Sequence, residues 1–206
     1  MHGSDADDTG SGETTPDDPM TGGVADERRS DGRPDTTPLE TVVDEAAAVT
    51  PTVDRVTLEG VDRADRPNRI SSVLVGVAGE AHSGATVDVA RRIAETTDAW
   101  IDLFHVASTR PTGGNDTTSE DTGDVLLAAA ADRLSGFDRV DRWLVEGDTA
   151  ADEIVDQSPY YDLVVVGAPT TGTVERFVFG CTTDAVVDRS AVPVVVVESD
   201  GPTPLE

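Results

Sequence analysis

Asp162-Leu163-Val164-Val165-Val166-Gly167-Ala168-Pro169-Thr170-Thr171-Gly172-Thr173-Val174-Glu175-Arg176-Phe177-Val178-Phe179-Gly180-Cys181-Thr182-Thr183 is the stretch that decides the fold. Leu163 to Val166 is a β-branched run without alternation, which reads as a strand buried on both faces. Gly167 ends it, a loop with Gly172 and Gly180 follows, and Thr182 or Thr183 can cap a helix carrying Ala185, Val186 and Val187. Strand, glycine-containing loop and helix start together suit a phosphate, because backbone N–H groups and the helix dipole face the anion. The same pattern also fits a plain βα connection, and the residues alone leave both readings open.

Outward from that stretch the alternation repeats. Residues 1–37 hold almost only Asp, Glu, Gly, Thr, Pro, Ser and Arg. They cannot bury enough surface to offset ordering entropy, so they are expected to be disordered. Leu39 to Val49 suits a short helix and Val53 to Leu58 a strand, neither with an evident partner. Residues 63–68 read as a polar linker, and all eight aromatic residues fall between Trp100 and Phe179. The chain therefore divides into an acidic appendage (1–68), a globular domain (69–199) and a polar tail (200–206). Within the domain, Val73 to Val77, Trp100 to Val106, Val140 to Val145, Leu163 to Val166 and Val194 to Val197 are strands. Helices begin near Ser83, Glu120, Thr149 and Thr182, and Gly136 is placed to end the second.

This β-α alternation predicts an α/β, Rossmann-like, doubly wound five-stranded parallel sheet with helices on both faces. In the order 3-2-1-4-5 the winding reverses between the first and fourth strands, and ligands sit outside the strand ends there. The loops after Val77 and after Val166 would flank one crevice. Val194 to Val197 would form an open apolar edge, so self-association as a homodimer is expected at that strand.

Composition narrows the partners. There are 41 acidic residues (28 Asp, 13 Glu) against 15 basic ones, all Arg, for a formal charge of −26. Such a surface repels nucleic acid and anionic lipid. Molar salt shortens the screening length to roughly 3 Å, so the acidity suits the cytoplasm of a salt-accumulating halophile. Cys181 is the single cysteine, which fits a reducing compartment. No apolar run approaches the roughly 18 residues that cross a bilayer, and the N-terminus lacks the basic and apolar regions of a signal peptide.

From about Arg69 to Ser199 the chain resembles the universal stress protein family, haloarchaeal type. The stretches that carry the likeness are Val73 to Ser83, Leu103-Phe104-His105-Val106, Val145-Glu146-Gly147-Asp148, Asp162 to Cys181, and Val192-Pro193-Val194-Val195-Val196-Val197. The resemblance implies a homodimer joined through the last strands, and a stress-response role through ATP or AMP in some members and through nucleotide-independent contacts in others. It places Val77, Ala78, Gly79, Val106, Val166, Gly167, Pro169, Thr170, Gly180, Cys181, Thr182 and Thr183 around the nucleotide. Members that bind it carry Gly, two residues, Gly, nine residues, then Gly and Ser or Thr. Here Gly167 and Gly180 match, while Thr170 stands at the second glycine and Cys181 at the hydroxyl. Ala78 stands where such members place an Asp. Thr170 adds a Cβ where close approach is wanted, and Pro169 removes an N–H. ATP or AMP is therefore expected to be held weakly or not at all.

The remaining reactive side chains have plainer roles. Cys181 at a helix start suits a buried stand-in for Ser better than a redox thiol. Arg176 suits a phosphate or a surface ion pair equally. His105 reads as a packed, hydrogen-bonded histidine, His82 and Ser83 lack a third group for nucleophilic catalysis, and Ser83 suits a helix cap. Asp148 and Asp152 are helix-start acids, and no cluster has metal-ligand spacing. The expectation is a non-enzymatic regulatory module with a degenerate crevice and an unknown protein partner.

Overall fold

The computed structural model describes residues 38–65, 67–79, 82–109, 119–168, 182–199 and 201–205. Residues 1–37 lie outside the described residues. In chain order come α1 (Leu39–Ala48), β1 (Val53–Glu59), β2 (Ser72–Gly76), α2 (Ser83–Thr97), β3 (Trp100–Ser108) and α3 (Ser119–Arg133). Then follow β4 (Val140–Gly147), α4 (Ala150–Gln157), a 3₁₀ turn (Ser158–Tyr160), β5 (Leu163–Gly167), α5 (Thr182–Arg189) and β6 (Val194–Ser199).

Among the described residues the strands form one sheet in the order β1-β6-β5-β2-β3-β4. The five anticipated strands stand in the anticipated order and are parallel, with the reversal between β2 and β5. Valine runs explain this: Val73, Leu74 and Val75, Leu163 to Val165, and Val194, Val195 and Val197 are all fully buried. A strand apolar on both faces needs helices on both sides. Alternate side chains separate accordingly. Val73, Val75, Leu163, Val165, Val195 and Val197 join the core under α1, α2 and α3, whereas Leu74, Val164, Val166, Val194 and Val196 join the core under α4 and α5.

Three expectations need correction. The sheet has six strands, because β1 pairs antiparallel with β6 from Val53↔Ser199 to Glu59↔Val194. Val194 to Val197 is consequently no open edge, and the reason offered for a homodimer at that strand falls away. The globular domain also begins no later than Leu39 rather than at residue 69, since α1 buries Val42, Val43 and Ala46 in the core shared with α2. Finally, the tail is not a detached polar end. Thr203 accepts hydrogen bonds from Gly84 N through its carbonyl (2.7 Å) and from Ala85 N through Oγ1 (3.1 Å), and Leu205 packs against the core.

Local signals hold elsewhere. Thr149 caps α4 by accepting from Asp152 N, and Gly136 takes φ +83° after α3, the left-handed turn that favours glycine. On the α4 side, Tyr161 Oη donates to Asp102 Oδ2 at 2.6 Å. Burial, aided by that bond and the nearby carboxylates, pushes the phenol well above its ordinary value of 10.0. A raised pKa stabilises the fold below the unfolded value and is lost as pH rises through the folded one. Denaturant melts above pH 10 should therefore show a steeper loss of stability in the parent chain than in Tyr161→Phe. At pH 7 the substitution should cost about 1 kcal/mol, the lower range because the pair is half exposed. Parallel alkaline limbs for the two proteins would contradict this.

Candidate functional site

Because β2 and β5 are adjacent and parallel, in the register Val73↔Leu163 to Val75↔Val165, their following loops leave from the same end of the sheet. Val77 is buried and doubly held: its N–H donates to Phe104 O (2.8 Å), and its carbonyl accepts from His105 Nδ1 (2.8 Å). A carbonyl acceptor requires the proton on Nδ1, so His105 is a hydrogen-bonded strut, as its sequence context suggested. Ala78 and Gly79 are exposed above it. Among the described residues, a Cβ at Gly79 would meet Leu126, at 3.8 Å, an ordinary contact.

Across the crevice, Val166 is buried against the α4–α5 core, and Gly167 is half-buried. A Cβ at Gly167 would lie 3.1 Å from Thr86 Oγ1 and 3.5 Å from His82 Cβ. The α2 start thus closes directly on the end of β5, and no side chain larger than hydrogen fits without displacement. Val106, half-buried on β3, packs with the same core as Val166. His82 ends the loop expected to flank the crevice, while two features escaped the sequence reading: Thr86 joins His82 in its wall, and the tail at Thr203 covers the first turn of α2. Neither carries a motif; only the β2–β5 pairing brings them there.

Two of the hydroxyls at this end of the sheet are engaged within the chain. Thr183, expected to be available to an anion, is buried and donates through Oγ1 to Gly167 O at 2.8 Å, tying α5 to the end of β5. Thr182 is exposed at the first position of α5. Ser83 is not the cap of α2: it is the first helical residue, and its Oγ donates to Ala78 O at 2.6 Å, fixing the β2–α2 loop. Pro169, Thr170, Gly180 and Cys181 lie outside the described residues.

Charge near the α2 start is also committed. Arg133 lies close to Gly84 but forms a two-pronged pair with Asp88 (2.8 Å for each bond), which raises the guanidinium pKa. Asp152 is held below the usual carboxylate range, first by Thr149 and then by Arg189, whose Nη1 lies 2.6 Å away. That half-exposed bridge ties the C-terminal end of α5 to the first turn of α4. Among the described residues no three His, Cys, Asp or Glu side chains are grouped to hold a metal ion. No described helix is long and apolar enough to cross a membrane.

A family model described as the universal stress protein family matches residues 70–198. Among solved structures, a universal stress protein in complex with cAMP is 22% identical, with TM-score 0.54, over 64% of this chain and 99% of that one. A universal stress protein from Archaeoglobus fulgidus is 18% identical, with TM-score 0.50, over 62% and 98%. At these identities the likeness is one of fold. No curated protein matches the chain.

The tail contact yields a direct prediction. A Cβ at Gly84 would fall 2.5 Å from the Thr203 carbonyl oxygen. Gly84→Val should expel the tail and destabilise by about 1–3 kcal/mol. Hydrogen exchange should then show lost protection at Ala85 and at the amide of position 84, with β2 and β5 unchanged; unaltered protection at Ala85 would refute the contact.

Proposed function

The chain belongs to the universal stress protein family, and on that premise we propose that it is a stress-related regulatory module that binds an adenine nucleotide weakly. It works by binding, not by turnover, in the crevice between β2 and β5. The observation that carries the reading is the adjacency of those strands, which sets the Val77–Gly79 loop beside Gly167 and the start of α5. Ligands of doubly wound sheets collect at such reversals. The structural relative solved with cAMP supports an adenine nucleotide as the ligand class.

The residues fit part of such a ligand. Val77, Ala78, Gly79 and Val106 offer an apolar wall for a base, and the α5 N-terminus with exposed Thr182 suits a phosphate. They fit the remainder poorly. Ala78 offers no carboxylate to a ribose, Thr183 is spent on Gly167, and two N–H groups of α2 are spent on Thr203. A net charge of −26 further opposes an anion. The acidity is a halophilic adaptation of a cytoplasmic protein, and the partner that reads the bound state is a protein, since nucleic acid is repelled.

Equilibrium dialysis of labelled ATP, AMP and cAMP in molar KCl tests this. The expected Kd is about 1 mM, roughly −4 kcal/mol, with no nucleotide hydrolysed. Micromolar affinity, or turnover, would overturn the weak-site reading, and no binding at all would remove the nucleotide. Ala78→Asp, which supplies the missing acceptor on an exposed loop, should tighten binding about tenfold, the effect of one hydrogen bond to a charged group.

A further inference from the structure

We propose that β4 is a docking edge that takes an extended basic segment of a partner protein as an added strand. The proposal does not rest on nucleotide binding, since the crevice lies between β2 and β5, beyond β3. It starts from how the two borders of the sheet differ. At one border, β1 slips register between Val53 and Arg55 and exposes Asp54, Arg55 and Glu59. A bulge and charge together blunt an edge. At the other border, β4 runs through eight residues, Val140–Gly147, without Pro. It keeps step with β3 from Ile101↔Val140 to Ser108↔Gly147. Trp143, in its middle, is 52% exposed.

The backbone of β4 is presented in a definite pattern. Ile101 N donates to Arg139 O (2.9 Å), and Thr109 N donates to Gly147 O (3.2 Å). In a parallel ladder the N–H and C=O of one residue point to the same side. The odd-numbered residues of β4 therefore turn to β3, while Val140, Arg142, Leu144 and Glu146 turn their backbone groups outward. Among the described residues β4 pairs with β3 alone. Outward donors and acceptors on alternate residues are the template for strand addition.

Side-chain chemistry selects the segment. Asp141 and Trp143 share the face of α4 and α5 with Asp102 and Phe104, their level partners on β3. Trp100, 50% exposed, lies one step before Asp102 on the same face. Two carboxylates thus stand side by side at the border, with a half-exposed indole on either side along the strands. Tyr161 Oη donates to Asp102 Oδ2 at 2.6 Å, and among the described residues no cation pairs with Asp102 or Asp141. Arg142 falls on the opposite face by alternation, with Val140 and Leu144. Arg139 is engaged by Asp98 (3.1 Å) and by the Ala99 carbonyl (3.2 Å). On an added strand, a Lys or Arg level with Asp141 meets two carboxylates. The next residue on that face, about 7 Å further, meets Trp143, where a second cation lies over the indole. An acidic segment meets like charge at the same place.

The test titrates the full chain in molar KCl with an octapeptide alternating Lys and Val, and with its Glu and Val counterpart. Trp100→Phe leaves Trp143 as the single indole, since the chain has two Trp. Its emission is expected to move to shorter wavelength with the basic peptide, which should bind about tenfold more tightly than the acidic one. In the unaltered chain, hydrogen exchange at the outward amides of Arg142 and Leu144 should slow about tenfold, with Asp141 and Trp143 unchanged. Arg142→Pro removes an outward donor and a repelling charge, so loss of binding there reports the backbone. The basic peptide N-methylated at every amide asks the same question of the unaltered chain, and it should not bind. Equal affinity for the two peptides overturns the proposal, as does full binding of the methylated one or no binding at about 1 mM. Protection of the outward amides that grows with protein concentration alone also overturns it, because a second copy would then be the occupant.

Discussion

Pairing between β2 and β5, separated by some ninety positions of sequence, is the constraint from which the rest of the molecule follows. Both strands are apolar on both faces, so they can lie only in the middle of a sheet with helices above and below. Right-handed crossovers then send α2 and α3 to one face and α4 and α5 to the other. With β3 and β4 laid on one side and β6 on the other, the order of winding reverses where β2 meets β5. Every loop that could touch a ligand leaves from the same end of the sheet for that reason.

What the family fold leaves open there, this chain largely uses for itself. Ser83 binds Ala78, Thr183 binds Gly167, and Thr203 takes two N–H groups at the start of α2. Each bond stiffens the crevice and removes a donor that an anion would want. The space beside Gly167 is filled by His82 and Thr86, whereas among the described residues Leu126 is the neighbour above Gly79.

The parts legible in the sequence were those written in local pattern. Valine runs announced the strands, the spacing of Ala85, Val89 and Ile93 announced α2, and Gly136 announced the end of α3. The order of the parallel strands followed from topology rules that need only element types. Contacts between distant segments were not legible. Val53 to Leu58 reads as a strand, but nothing in those residues says that β6 is its partner. Thr203 sits in a polar, Pro-containing tail whose composition hides one carbonyl and one hydroxyl placed over α2. Thr183 looks like a free hydroxyl until the end of β5 is brought beside it. In each case the missing information is a register or a crossing, which depends on the whole sheet and not on the residue.

One measurement reaches the shared premise of fold and site: backbone NOEs between β2 and β5 in isotopically labelled protein at molar KCl. The account predicts parallel cross-strand contacts linking Val73 to Leu163 and Val75 to Val165. Contacts from Val75 to some other strand in place of Val165 would separate the two loops and contradict the site and the sheet order together.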